Sequence, residues 1–307
     1  MMKKYIISVD GGGTKTKAIA YDEKGNDICS FLSGPGSAAV VSENKVWENV
    51  YESIDGLLSM IDSNQYQLVY IQIGLSAYSI LIDVELNKKQ LEEKYKVLVE
   101  VASDTYVACY SILKDKYSNG VVALAGTGVA VFGMNNGETC LIGGWGHIIR
   151  ELGSAYAAVH HFALNIIDTA ENGYELSTFQ NNFIKYLHDK NINDLKHLFY
   201  FHSKTTIASL VTYIKEYAEK GCEEAKKILY QEGIYLAEQT LKAIRKLDLT
   251  NDFIVGLRGG FVQKNSVDVV RGFIDTIRNN GILADIISDN DDPAIGGYYI
   301  AKNKYII

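Results

Sequence analysis

"YIISVDGGGTKTKAIAYDEKGN", residues 5–26, opens on an apolar run that ends in an aspartate, three glycines and a threonine. Glycine-rich loops of this kind commonly cradle phosphate. The dinucleotide-binding and P-loop versions need a helix immediately after the glycines, because its amide end holds the anion. Here Gly13 leads instead into Thr14-Lys15-Thr16-Lys17-Ala18-Ile19-Ala20-Tyr21, closed by Asp22-Glu23-Lys24-Gly25-Asn26. That pattern predicts a second strand and a turn, with "DICSFL" (27–32) as a third strand. The motif is a β-hairpin with a glycine tip, and the G-x-x-x-x-G-K-[ST] pattern is absent.

The hairpin recurs. "NGVVALAGTGVAVFGMNNGETCLIGG" (119–144) runs from Val121–Leu124 through Gly126-Thr127-Gly128 into a second strand, Val129–Phe132. The turn Asn135-Asn136-Gly137 comes next, then a third strand near Thr139–Ile142. In both copies a Gly-Thr pair precedes a turn glycine, Gly25 or Gly137. A repeated supersecondary unit of this kind predicts two related α/β halves.

The segments between fit that plan. "SENKVWENVYESIDGLLSMI" (42–61) places Val46, Val50, Ile54, Leu57 and Leu58 on one helical face after a Ser42 cap. "YQLVYIQIGLS" and "YKVLVEVAS" are rich in β-branched residues, as buried strands are. Residues 153–248 read as almost wholly helical. Two further strands are expected in "DFIVGLRGGFVQ" and "ILADIIS", and a last helix from about Pro293. The expected domains are 1–115, with the C-terminal helix of 293–307 packing back on it, and 116–292.

Bulk properties narrow the classes. The chain has 307 residues, 47% hydrophobic and 22% charged, which is ordinary globular composition with room for two domains. A formal net charge of −7 argues against nucleic-acid and anionic-membrane partners, which favour basic surfaces. The first apolar run breaks at Asp10, too short and too soon charged for a signal peptide or membrane span. Cys29, Cys109, Cys140 and Cys222 lack C-x-x-C spacing and read as reduced thiols of a cytoplasmic protein, not as a zinc or iron–sulfur site.

In five places, in order, the chain resembles the sugar-kinase, actin and heat-shock-chaperone superfamily, and within it the N-acetylglucosamine kinase and BadF-type ATPase branch. "DGGGTKTKA" is similar to the first phosphate loop and "LAGTGVAVFG" to the second. "GGWGHIIRELGSAY" resembles the stretch after that loop, "GLRGGFVQKN" the adenosine loop and "DPAIGGYYIA" the small-residue closing helix. The resemblance implies two ribonuclease-H-like domains of the actin/hexokinase type with a cleft between them. It implies ATP and Mg²⁺ as cofactors and a small-molecule sugar as substrate. Most relatives are dimers, so a homodimer is the assembly it allows.

Residue roles are implied by that resemblance. Gly11, Gly12 and Gly13 let the backbone approach the phosphates and turn with positive φ, while Thr14 and Lys15 add a hydroxyl and a charge. Asp10 ends the first strand, where a carboxylate suits a hydrated Mg²⁺. Gly126, Thr127 and Gly128 form the other phosphate loop; for each loop the plain alternative is a tight hairpin turn. Gly259, Gly260 and Lys264 belong around adenine and ribose, with Arg258 as a stacking candidate. Asp104, in "VASDTYVACYSIL", matches the aspartate that takes the proton from the sugar hydroxyl; its alternative is a helix N-cap.

Ser37, Gly144, Trp145, Gly146, Arg150, Glu151 and Ser154 match acceptor-side positions. Trp145 is either an apolar sugar-facing wall or a core residue. His147 is a candidate cleft residue, whereas His160 and His161 read as packed or surface side chains. The chain departs from the branch where acceptor identity is read. Glu151-Leu152-Gly153-Ser154 replaces Asp-Glu-Gly-Ser, Ser37 replaces an asparagine, Ser103 precedes the base, and Arg150 stands for glycine. A guanidinium there suits the carboxylate of N-acetylmuramate, unless Arg150 pairs with Glu151 or another local acid. The expected activity is ATP-dependent phosphorylation of an N-acetylated amino sugar at a primary hydroxyl. The alternatives are a BadF-type ATPase that activates a partner enzyme and a nucleotide-sensing module.

Overall fold

In the computed structural model, residues 2–187, 191–250, 252–265, 267–288 and 291–305 are described. Two compact units emerge, Met1–Ser118 with Asp291–Ile307, and Asn119–Asn290.

The first unit opens with β1 (Lys3–Gly11), β2 (Thr16–Asp22) and β3 (Asp27–Ser33), an antiparallel meander. Helix α1 (Glu43–Leu58) leads to β4 (Tyr66–Leu75), and α2 (Val84–Tyr95) to β5 (Leu98–Ser103), which runs into α3 (Asp104–Leu113). The sheet order is β3-β2-β1-β4-β5, with β1, β4 and β5 parallel. The central strand β1 is buried from Tyr5 through Val9, because helices cover both faces of its parallel half. The edge strand β3 alternates between exposed and partly buried residues and has none fully buried. Helix α1 lays Val46, Val50, Ile54 and Leu57 on one face of the sheet, although its Ser42 N-cap makes no side-chain capping bond.

The second unit repeats this wiring. Strands β6 (Gly120–Ala125), β7 (Val129–Asn135) and β8 (Glu138–Gly143) form the meander. Helices α4 (Ala155–Glu171), α5 (Thr178–Tyr186), α6 (Leu195–Phe201), α7 (Lys204–Ser209) and α8 (Val211–Glu219) come after it. Next are α9 (Glu223–Lys246), β9 (Ile254–Arg258), α10 (Gly260–Asn265), α11 (Val267–Asn279) and β10 (Asp285–Ile287). The order β10-β9-β6-β7-β8 mirrors that of the first sheet, again with three antiparallel strands and two parallel additions. Turn glycines Gly25 and Gly137 occupy matching positions with φ of +82° and +88°.

The chain then returns to the first unit as α12 (Ile295–Tyr305). Ala294, Tyr298 and Ala301 pack on Ile6, Ile19, Tyr21 and Tyr70, closing the sheet face opposite α1. Gly296 makes this approach feasible, since a Cβ there would lie 1.8 Å from the carbonyl oxygen of Val107 in α3. Among the described residues no helix is long and apolar enough to cross a membrane.

Candidate functional site

In the first unit the glycine tip is held from below. Ser76, just past β4, donates its N–H to the Gly11 carbonyl at 2.8 Å, and Gly36 donates to the Gly12 carbonyl at 2.9 Å. A Cβ on Gly11 would meet Leu75 Cδ2 at 2.6 Å, and one on Gly36 would meet Gly11 Cα at 2.5 Å. Two bare backbones therefore touch, and this contact explains glycine at both positions. None of Gly11, Gly12 and Gly13 adopts the positive φ expected from the sequence. Gly13, Thr14 and Lys15 are exposed at the tip.

Three carboxylates gather beside this hairpin. Asp10 lies opposite Lys17 in the β1–β2 register, and Lys17 Nζ pairs with Asp292, just ahead of α12. Burial, then the nearby charges of Asp104 and Asp292, push the Asp10 carboxyl up to about 7, against the pull of Lys17 and Lys15. Asp104 is the first residue of α3. The helix is capped one residue earlier, by Ser103, whose Oγ accepts the Tyr106 N–H at 3.1 Å. Capping is therefore not what Asp104 does. Its Oδ1 accepts its neighbour's Thr105 N–H at 2.7 Å. Burial raises its pKa, opposed by that bond and by one from the Ser76 hydroxyl. Ser37, 2% exposed, bridges to Ser76 in a parallel β-bridge and so lies next to the same residue.

Among the described residues no group of three or more His, Cys, Asp or Glu side chains is placed to hold a metal ion by itself. The hard oxygen donor of Asp10 nevertheless fits Mg²⁺, which keeps its waters and takes one or two carboxylates with substrate phosphates. All four cysteines are free, and burial lifts the Cys109 thiol to about 12.

In the second unit the tip Gly126-Thr127-Gly128 is tied to the segment after β8. Ala155 N–H donates to the Gly126 carbonyl at 3.0 Å, and Val129 N–H to Glu151 Oε1 at 2.7 Å. Lys204 Nζ takes the other Glu151 oxygen. Glu151 is thus committed to this loop and to Lys204, which removes it as the partner for Arg150. Ser154 is fully buried and caps α4, its Oγ accepting the Ala157 N–H at 3.2 Å. Gly153 donates to Glu232 Oε2 at 2.7 Å, and the other Glu232 oxygen pairs with His161 Nδ1. Gln239 donates to the Leu152 carbonyl at 2.8 Å. Glu232 and Gln239, both on α9, therefore pin the 152–153 backbone.

Gly144 and Gly146 take positive φ in the loop that carries Trp145 and Arg150. Trp145 is 65% exposed, which excludes the core alternative. Arg150 is exposed and makes no ion pair among the described residues. His147 stacks edge-on against Tyr156 at 5.1 Å. Gly259, at φ +108°, accepts the N–H groups of Val262 and Gln263 and so starts α10, with Gly260 its first residue. Arg258 is 2% exposed at the end of β9 and packs inside the domain, so it is not a stacking group. The Lys264 side chain lies outside the described residues.

Sequence reading missed Ser76, Lys17, Asp292, Lys204 and Glu232, and gave His161 no role beyond packing. Each is joined to its site by a long-range contact that no local pattern marks; Lys17 and Asp292 are 275 residues apart.

Comparison with known proteins agrees with this geometry. The chain is 25% identical over 307 residues to the N-acetylmuramic acid/N-acetylglucosamine kinase of Clostridium acetobutylicum, covering 98% of this chain and 99% of that one. It is 24% identical over 324 residues to the N-acetyl-D-glucosamine kinase of Dictyostelium discoideum, covering 99% of each. A Porphyromonas gingivalis structure, provisionally named an N-acetylglucosamine kinase, superposes over the full length of both chains with a TM-score of 0.71 at 12% identity. That likeness carries the fold: two α/β units, each built on a five-stranded mixed sheet. The family match extends over residues 7–301, and the chain belongs to the BadF/BadG/BcrA/BcrD ATPase family.

Proposed function

We propose that this protein is an ATP-dependent kinase that phosphorylates an N-acetylated amino sugar at a primary hydroxyl, taking N-acetylglucosamine and N-acetylmuramate. The observation that carries the reading is the state of Asp104. Ser103 relieves it of capping, and burial raises its pKa, which makes its carboxylate a stronger base. The full-length similarity to two amino-sugar kinases supports the acceptor class.

In this reading Asp104 takes the proton of the acceptor hydroxyl as its oxygen attacks the γ-phosphorus, and the bond to the bridging oxygen of ADP breaks. The glycine tips at Gly11–Gly13 and Gly126–Gly128 present backbone amides to phosphate oxygens, with Thr14, Lys15 and Thr127 beside them. Asp10 would hold a hydrated Mg²⁺, which when bound would supply positive charge to offset that of the phosphates. Gly259, Gly260 and Lys264 line the nucleoside. Ser37, Gly144, Trp145, Gly146 and Arg150 read the acceptor, Arg150 through the lactyl carboxylate of N-acetylmuramate. Glu151 and Ser154 contribute by holding the second tip and capping α4. An ATP donor carries with it a cytoplasmic location, and the assembly proposed is a homodimer.

The test is coupled ADP release from MgATP with glucose, glucosamine, N-acetylglucosamine, N-acetylmannosamine and N-acetylmuramate. Stimulation by acetylated sugars, abolished in Asp104→Ala, supports the kinase. ATP turnover indifferent to every sugar overturns it and favours the partner-activating ATPase suggested by the family name.

A further inference from the structure

Lys204 lies where the second glycine tip meets its support, and no motif in the sequence points to it. Its ammonium pairs with Glu151, whose other oxygen accepts the Val129 N–H at the first residue past the tip. A Cβ on Gly128 would sit 2.5 Å from Lys204 Nζ and 3.2–3.3 Å from the two Glu151 oxygens. The charge therefore abuts the loop backbone itself. Any side chain at Gly128 would push it away.

The pair is asymmetric. The Glu151 side chain is 4% exposed and the Lys204 side chain 26%. An ammonium has three donors, and among the described residues Lys204 bonds only to Glu151. Its backbone is firmly placed: Ser203 caps α7 through the Thr206 N–H, and Ile207 and Ala208 are buried in the domain core. Its side chain is a flexible four-carbon stem ending in a point charge. A fixed root, a mobile charged end and an open side beside bare backbone suit capture of an anion brought to the tip.

We propose that Lys204 binds a terminal phosphate of the nucleotide at the Gly126–Gly128 tip, exchanging its partner Glu151 for that phosphate. The proposal rests on the ATP-dependent reading above. Glu151 acts as the resting counter-ion: it keeps the ammonium at the loop when no nucleotide is present and competes with phosphate when one arrives. Lys204 reads phosphate number, since AMP lacks the group it would contact.

Calorimetric titration of the full chain with ADP and AMP in the presence of Mg²⁺ tests this. Three variants are compared with the wild type: Glu151→Gln, Lys204→Arg and the double variant Glu151→Gln/Lys204→Met. The double variant leaves no unpaired buried charge, which protects the fold. Glu151→Gln is expected to hold or strengthen ADP binding, because it removes the competitor. The double variant is expected to lose about tenfold or more in ADP affinity with AMP little changed, and Lys204→Arg to keep most of the ADP preference. Equal weakening of ADP and AMP in the double variant, or an unchanged ADP/AMP ratio, overturns the assignment and leaves the kinase reading standing. Loss of ADP binding in Glu151→Gln as large as in the double variant also overturns it, since Lys204 would then serve only that carboxylate. A wild type that binds neither nucleotide overturns both readings.

Discussion

The hydroxyl of Ser103 accepts the Tyr106 N–H at 3.1 Å and shares a 2.7 Å hydrogen bond with the Thr105 hydroxyl, so the cap of α3 is filled one residue before Asp104. Capping thus falls to Ser103 and leaves the Asp104 carboxylate free of that role. Ser103→Ala is expected to cost about 1 kcal/mol of stability. Asp104→Asn is expected to leave the melting temperature unchanged or raised and to lower kcat by roughly 10²–10⁴-fold. Thermal melts beside sugar-dependent ADP release separate the two, and a stability loss confined to Asp104→Asn would reverse the assignment.

Asp10 has a folded-state pKa raised to about 7. A carboxyl raised in this way contributes stability below its unfolded value of about 4, and that contribution is lost as pH rises through 7. Asp10→Asn cannot ionise and escapes the loss. Without divalent cations its melting temperature is expected to match the wild type near pH 4 and to exceed it by a few degrees above pH 7. The same variant is expected to lose the Mg²⁺ dependence of nucleotide binding.

His161 is raised above its ordinary pKa, chiefly by its hydrogen bond to Glu232. Its contribution is fully present below about 6.5 and is lost as pH rises through the folded value. The destabilisation caused by His161→Gln should therefore be largest near pH 5.5 and shrink in alkaline buffer. Glu232→Ala is expected to cost more at every pH, about 1–3 kcal/mol beyond the pair itself, because the Gly153 N–H loses its acceptor. Melts of both variants across pH 5–9 check the order.

Arg150→Ala is expected to lower kcat/KM for N-acetylmuramate by about tenfold or more and to leave N-acetylglucosamine within twofold. The exposed guanidinium has no ion pair among the described residues whose loss would disturb the fold. Equal effects on the two sugars would sink the carboxylate assignment.

The features legible in the sequence were local ones. Each hairpin announces itself by a glycine tip between apolar runs and by a turn glycine, Gly25 or Gly137, at matching distance. Asp104 was legible because a β-rich run ends directly before it. The positive φ expected at Gly11, Gly12 and Gly13 is absent, and Gly11 has a further reason, the contact with Gly36, a loop whose approach no local pattern encodes. Arg258 looks exposed beside two glycines, yet it ends a strand flanked on both sides within the sheet, which buries it. Lys204 reaches Glu151 across 53 residues, and only the folded chain brings the two together.

Because α12 follows the whole of the second domain in the chain, the first domain cannot be completed during synthesis until the second has been made. Ile6, Ile19, Tyr21 and Tyr70 stay uncovered on the nascent chain until Ala294, Tyr298 and Ala301 arrive. The contiguous second domain emerges whole before that. The usual N-terminal-first order of maturation is therefore inverted: Asp292 reaches Lys17 beside Asp10 only after the second domain has been made, and the carboxylate cluster comes together no earlier.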